Sequence, residues 1–332
     1  MRGLATSGSV TTFAGSTGLL QALLDWLAGG ASSLGWTVKY NRNTRNNNRS
    51  APDEPFGSTR KEVILHNTGI TGLENVLVGI REWSYPAGAA NNWDLTGYTT
   101  YVADQYWNIS EDQHGRTAYD STWEHFTELP TMPLIDDTMY YWFFADEQRI
   151  IVVAKVQSNY ESCYLGFGDR FGSPTDYPYP LIIKGSGYGN MPFSSTAGTH
   201  HAFSHDISST YGLYSSLVVK PDNSWCIYSN TLGVKFHPAR DWTDTGIISE
   251  TPLYKEVLVS PVTVIDQASQ VTMAEMDQVL HIAGVGVQSE DLIDGPNKLR
   301  YRIFQNTFRT DYNDFFGVVT SDYTTTTTTT TV

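Results

Sequence analysis

Leu19, Leu20, Leu23, Leu24 and Leu27 fall on one stripe of a 3.6-residue period, which predicts a short amphipathic helix. Ser16 or Thr17 stands before it as a candidate N-cap, and Gly29-Gly30 ends it. After the helix the apolar residues come in short β-branched and aromatic runs bounded by turn residues. Trp36–Tyr40, Glu62–His66, Asn75–Trp83 and Leu95–Tyr101 read as strands. Met139–Phe144 and Arg149–Val156, joined through Ala145–Gln148, read as a hairpin. Both runs are apolar on both faces, so the hairpin is expected to be covered on both sides. Leu217–Tyr228 forms a second hairpin pattern that turns at Pro221–Ser224. Lys255–Val259, Val262–Ile265 and Arg300–Phe304 are further strand candidates. Thr272-Met-Ala-Glu275 has the form of a capping box, which predicts a second helix over Met273–Ile282.

These elements predict a β-dominated α+β fold of antiparallel hairpins, with a short N-terminal amphipathic helix and few others. No internal repeat and no linker divides the chain. Residues 1–15 are Gly, Ser and Thr with few apolar anchors and read as an N-terminal arm. Residues 16–320 read as one β-rich domain, with a polar Arg/Asn loop at 41–60 extending from it. Residues 321–332 form a poly-Thr tail, whose β-branched residues favour an extended strand. The tail and the arm are both expected to be held by strand addition to a neighbouring chain.

Composition narrows the function. The chain has 332 residues and a formal net charge of −14, and only 17% of its residues are charged. That balance argues against an extended nucleic-acid surface, which needs clustered Lys and Arg. An aromatic content of 13% argues against intrinsic disorder. No apolar run reaches the length of a membrane helix, and Met1-Arg2 leads into Gly, Ser and Thr rather than a signal-peptide core. Cys163 and Cys226 are too few for a disulfide framework, so free thiols and a reducing cytoplasm of synthesis are expected.

Candidate chemistry is thin. His200, His201 and His205 with Asp206 are the densest group of metal-ligand types, but they lack HExxH spacing and read as loop histidines. Gly185-Ser-Gly-Tyr-Gly189 follows an apolar run as a phosphate-binding turn does, but Asn190-Met191-Pro192 comes next where a helix is required. Cys163 lacks a defined partner base. Asp136, Asp137 and Glu161 are carboxylates of the type a glycosidase opposes across its substrate, in a chain rich in carboxylates. These patterns predict no catalytic, cofactor-binding or metal residues, no cofactor and no small-molecule substrate.

The segment from Tyr140 to Gly187 is the most distinctive. It runs Tyr-Tyr-Trp-Phe-Phe-Ala-Asp-Glu-Gln-Arg-Ile-Ile-Val-Val-Ala-Lys-Val, then Tyr160-Glu-Ser-Cys-Tyr-Leu-Gly-Phe-Gly168, then Tyr177-Pro-Tyr-Pro-Leu-Ile-Ile-Lys-Gly-Ser-Gly187. Together with the early Gly18-Leu-Leu to Gly35-Trp36 element, it resembles a group of virion structural proteins of tailed bacteriophages. The resemblance implies a particle component of the tail, baseplate or neck, assembled in the host cytoplasm. Its implied partners are other copies of itself and other virion proteins, and it carries no catalytic residues. Arg42, Arg45 and Arg49 of the polar loop, and Thr324, Thr328 and Val332 of the tail, are the expected subunit contacts. The alternative is a host-surface glycan- or receptor-binding protein that stacks sugars on exposed Trp and Tyr.

Overall fold

The computed structural model describes residues 3–43, 61–84, 91–100, 130–188, 193, 216–227, 234–237, 253–254, 257–266, 269, 271–283, 287–296, 299–305 and 314–322. In chain order the elements begin with β1 (Leu4–Val10), α1 (Leu19–Ala28), a short 3-10 turn (Ser32–Leu34), β2 (Thr37–Asn43), β3 (Lys61–Asn67), β4 (Val76–Ser84) and β5 (Asn91–Tyr98). They continue with β6 (Pro130–Leu134), β7 (Met139–Ala145), β8 (Arg149–Val156), β9 (Asn159–Phe167), β10 (Asp169–Arg170), β11 (Leu181–Gly185), β12 (Gly187–Tyr188), β13 (Ser216–Val219) and β14 (Trp225–Ile227). The last are β15 (Val234–His237), β16 (Leu253–Tyr254), β17 (Val257–Asp266), β18 (Val271–Ala283), β19 (Leu292–Asp294), β20 (Leu299–Gln305) and β21 (Asp314–Asp322). The fold is β-dominated α+β with antiparallel pairing throughout, as the sequence predicts.

Three sheets build it. The central sheet has the order β1-β7-β8-β9-β11-β13-β14, a second runs β12-β6-β5-β4-β3-β2, and a third runs β15-β17-β18-β21-β20-β19. Strand alternation sends one face of the central sheet to each neighbour. Met139, Phe143, Ile150, Val152, Cys163, Leu165, Leu181 and Ile183 face the second sheet and α1, where Val63, Val78, Trp93 and Leu95 meet them. Trp142, Phe144, Ile151, Val153, Tyr164 and Ile182 face the third sheet, against Val264, Met276, Phe304 and Phe316. The β7–β8 hairpin is therefore covered on both sides, as its apolar runs predict. Asp146 closes its turn by accepting the N–H groups of Gln148 and Arg149 at 2.7 and 2.9 Å.

The helix α1 buries the five predicted leucines beneath the second sheet, each contributing about 1.5–3 kcal/mol of transfer free energy. Its N-cap is Gly18 rather than Ser16 or Thr17, and no side chain caps it. The reason is steric: a Cβ on Gly18 would lie 2.5–2.6 Å from the Ala14 backbone, so the turn into the helix admits glycine only. At the other end the Gly29 N–H bonds the Asp25 carbonyl at 3.0 Å.

Several expectations are corrected. The segment Met273–Ile282 is strand, within β18, and not a helix. Against β17, this strand carries register shifts opposite Pro261/Thr263 and Val264/Ile265, and Gln278 has φ 68°. The extra residues put Met273, Met276, Val279 and Ile282 inward, at the three-residue spacing a helix also shows. The stretch Leu4–Val10 of the expected arm is β1, paired with β7 from Leu4↔Ala145 to Val10↔Met139, so its own sheet holds it rather than a neighbour's. Strand β2 runs to Asn43, three residues into the expected 41–60 loop. Val257–Val259 of the first expected run and the second run Val262–Ile265 belong to one strand, β17, which passes through Pro261, while residues 255 and 256 lie outside the described residues.

Candidate functional site

Of the expected contact residues, the structure describes only Arg42, whose backbone lies in β2 opposite Glu62. Arg45, Arg49, Thr324, Thr328 and Val332 lie outside the described residues, as do His200, His201, His205 and Asp206. No group of three or more metal-ligating side chains occurs among the described residues. No helix among them is long and apolar enough to cross a membrane.

The remaining sequence candidates are built into the scaffold. Cys163 and Cys226 are free thiols, as expected. Cys163 is fully buried between sheets, and burial pushes its thiol pKa up, the wrong direction for a nucleophile. Gly185 and Gly187 lie on either side of the point where the chain leaves the central sheet (β11) and joins the second (β12). A side chain on Gly185 would collide with the backbone of Thr131, so glycine here permits the crossing of two strands. Glu161 is fully buried and accepts the Ser186 hydroxyl at 2.5 Å at that same crossing. Asp136 and Asp137 occupy the exposed turn between β6 and β7. The three carboxylates thus divide between interior and surface.

Sequence patterning misses the buried charges. Arg149 opens β8 and is 2% exposed. Its Nη1 donates to Asp277 on β18, its Nη2 donates to Gln148 Oε1 at 2.8 Å, and its Nε lies 3.5 Å from Asp146 Oδ2. Burial alone would lower the guanidinium pKa, but Tyr164, Asp146 and Asp277 around it reverse the effect and push it up. This cluster ties the turn of the central hairpin to the third sheet. A partner tie closes the far end of β8. Lys155 Nζ lies 2.8 Å from Glu290 Oε1, and the Tyr160 hydroxyl donates to the same oxygen at 2.7 Å. Glu290 itself sits at φ 75°, uncommon for a residue with a side chain.

Further charged residues are buried on the sheets themselves. Arg81 and Asp94 are direct cross-strand partners on β4 and β5, on the face of the second sheet turned away from α1. Lys184 on β11 is 1% exposed, and its ammonium donates to the Gly185 carbonyl at 2.8 Å. Burial pushes its pKa down to about 7. Ser162 and Ser216 present buried hydroxyls on the same face of the central sheet, with Ser216 directly opposite Lys184. All three side chains are buried.

Among the described residues the sheet edges remain accessible. An edge strand presents a row of backbone groups ready to pair, and proteins blunt such edges by shortness or charge. Strands β12, β14 and β19 have two or three residues each, and β15 has four. Strand β2 is longer but carries Lys39 and Arg42. Strand β1 has seven residues, Leu-Ala-Thr-Ser-Gly-Ser-Val, with no charge and no proline. Among the described residues nothing pairs with its outer side. No protein-family model matches this chain, and no curated protein matches it.

Proposed function

We propose that this chain is a structural component of a tailed-phage virion, in its tail, baseplate or neck, acting through subunit–subunit contacts. The observation that carries the reading is the open β1 edge of the central sheet, long and uncharged where the other described edges are short or charged. A subunit that lives inside an assembly has its edges covered by neighbours and needs no such protection. The described interior is consistent with the same reading, because the Arg149–Asp277 and Lys155–Glu290 contacts tie the central hairpin to the rest of the fold. The segment Tyr140–Gly187 that resembles virion proteins forms β7 to β12, the spine of the fold. The likeness therefore lies in architecture rather than in a site.

The glycan-binding alternative needs exposed aromatic platforms. Among the described residues Trp26, Trp36, Trp93, Trp142 and Trp225 are all buried or half-buried. Tyr140 and Phe171 are exposed, at 57% and 49%. Quantitative mass spectrometry of purified phage particles tests the proposal: the chain should be recovered at a fixed multiple per genome. Recovery only in the soluble lysate, with the particles lacking it, would contradict it.

A further inference from the structure

We infer that the outer edge of β1 pairs antiparallel with β1 of a second copy of this chain, about a two-fold axis through Ser7. The inference rests on the subunit reading above and names the partner surface. Self-pairing demands that a strand complement itself when reversed. With Ser7 opposite the partner's Ser7, Leu4 meets the partner's Val10, Ala5 the partner's Ser9 and Thr6 the partner's Gly8. Directly opposite residues in an antiparallel pair share a face. Leu4 and Val10 both pack on the core side of the central sheet, so the two apolar residues extend that core across the seam at both ends. Ala5, Ser7 and Ser9 are exposed on the opposite face and are small enough to leave the edge open.

This self-complementarity under a two-fold names a second copy as the occupant, and charge does not oppose it at this seam. The chain carries a net charge of −14, so two copies repel wherever their acidic surfaces approach. Neither β1 nor its neighbour β7, Met-Tyr-Tyr-Trp-Phe-Phe-Ala, contains a charged residue. Like charges directly opposite across a strand pair are destabilising, and this seam has none. Pairing would join the two central sheets into one continuous sheet.

The test is sedimentation of the full chain at micromolar concentration, with three variants at the exposed centre of the strand. The wild type is expected to be a dimer. Ser7→Lys and Ser7→Asp each place like charges opposite one another and should raise the dissociation constant about fivefold or more. An equimolar mixture of the two should restore association, because Lys then faces Asp. Ser7→Cys should crosslink to itself on oxidation, identified by the peptide that contains position 7. This result decides the matter if the charged variants fail to fold. A monomeric wild type, a dimer indifferent to Ser7→Lys, or a Ser7→Cys chain that crosslinks elsewhere would overturn the two-fold pairing. Any of these together with recovery of the chain in particles would leave the virion reading standing with a different contact.

Discussion

Arg81 Nη2 lies 2.7 Å from Asp94 Oδ2, directly across β4 and β5, and the two side chains are 2% and 0% exposed. Two charges withdrawn this far from water are stable together and costly apart. Asp94→Ala or Arg81→Ala alone should therefore destabilise the protein by about 3–5 kcal/mol. Replacing both, as Arg81→Met with Asp94→Leu, should recover most of that loss. Denaturant unfolding of the three variants checks this, and a double-variant loss equal to the sum of the single losses would mean the pair is not coupled.

Trp142 on the central hairpin meets Phe304 edge-on at 5.1 Å and Tyr160 at 6.0 Å, between the central and third sheets. Trp142→Ala should cost about 3–5 kcal/mol, the range for large aromatic truncations in a core. A shift in the unfolding midpoint worth less than about 1 kcal/mol would place the ring at the surface.

Lys184 supplies a pH signature. Its folded pKa is pushed down to about 7, below the 10.5 of an exposed lysine. The unfolded chain then binds the proton more tightly between those values, so this residue's penalty on stability is full below pH 7 and fades as the pH rises towards 10.5. Lys184→Met should stabilise the protein by about 1–4 kcal/mol at neutral pH. The advantage should shrink between pH 7 and pH 10. Unfolding free energies of the two proteins across that range check it, and a difference independent of pH would show that Lys184 keeps its ordinary pKa.

Gly185 marks the crossing from the central to the second sheet, against the Thr131 backbone. Because the obstacle is main chain rather than a flexible side chain, Gly185→Ala should cost about 1–3 kcal/mol, as overpacked sites do. The measurement is the thermal midpoint beside that of Gly15→Ala. That control site has φ 82° and no atom within reach of an added Cβ, so it reports backbone strain without collision.

The legible parts of the fold were those where one periodicity ran undisturbed. Five leucines on one stripe specified α1, and apolar residues on both faces of Met139–Val156 specified a hairpin at the centre of the stack. Strand β18 was illegible because its bulges, around Met273 and Gln278, convert a two-residue period into a helical one. Strand β1 was illegible for the opposite reason. An edge strand with half its side chains in solvent needs no apolar run, and Leu-Ala-Thr-Ser-Gly-Ser-Val has the composition of a loop. The candidate contact surface was hidden with it, since only the strand order reveals which strand lacks a neighbour. The burial of charges such as Arg149 and Lys184 gave no local signal, because it depends on sheet packing, which brings Asp277 from β18 to Arg149 and encloses Lys184 beside the strand crossing.

We propose that this chain acts as a repeated structural subunit of a phage particle. A chain-resolved map of the purified particle tests it most directly. The map should show this fold in symmetric repeated copies in the tail, baseplate or neck, with the β1 edge covered by a neighbouring chain. A particle that lacks the chain would contradict it, whereas copies whose β1 edges all face solvent would overturn the β1 pairing alone.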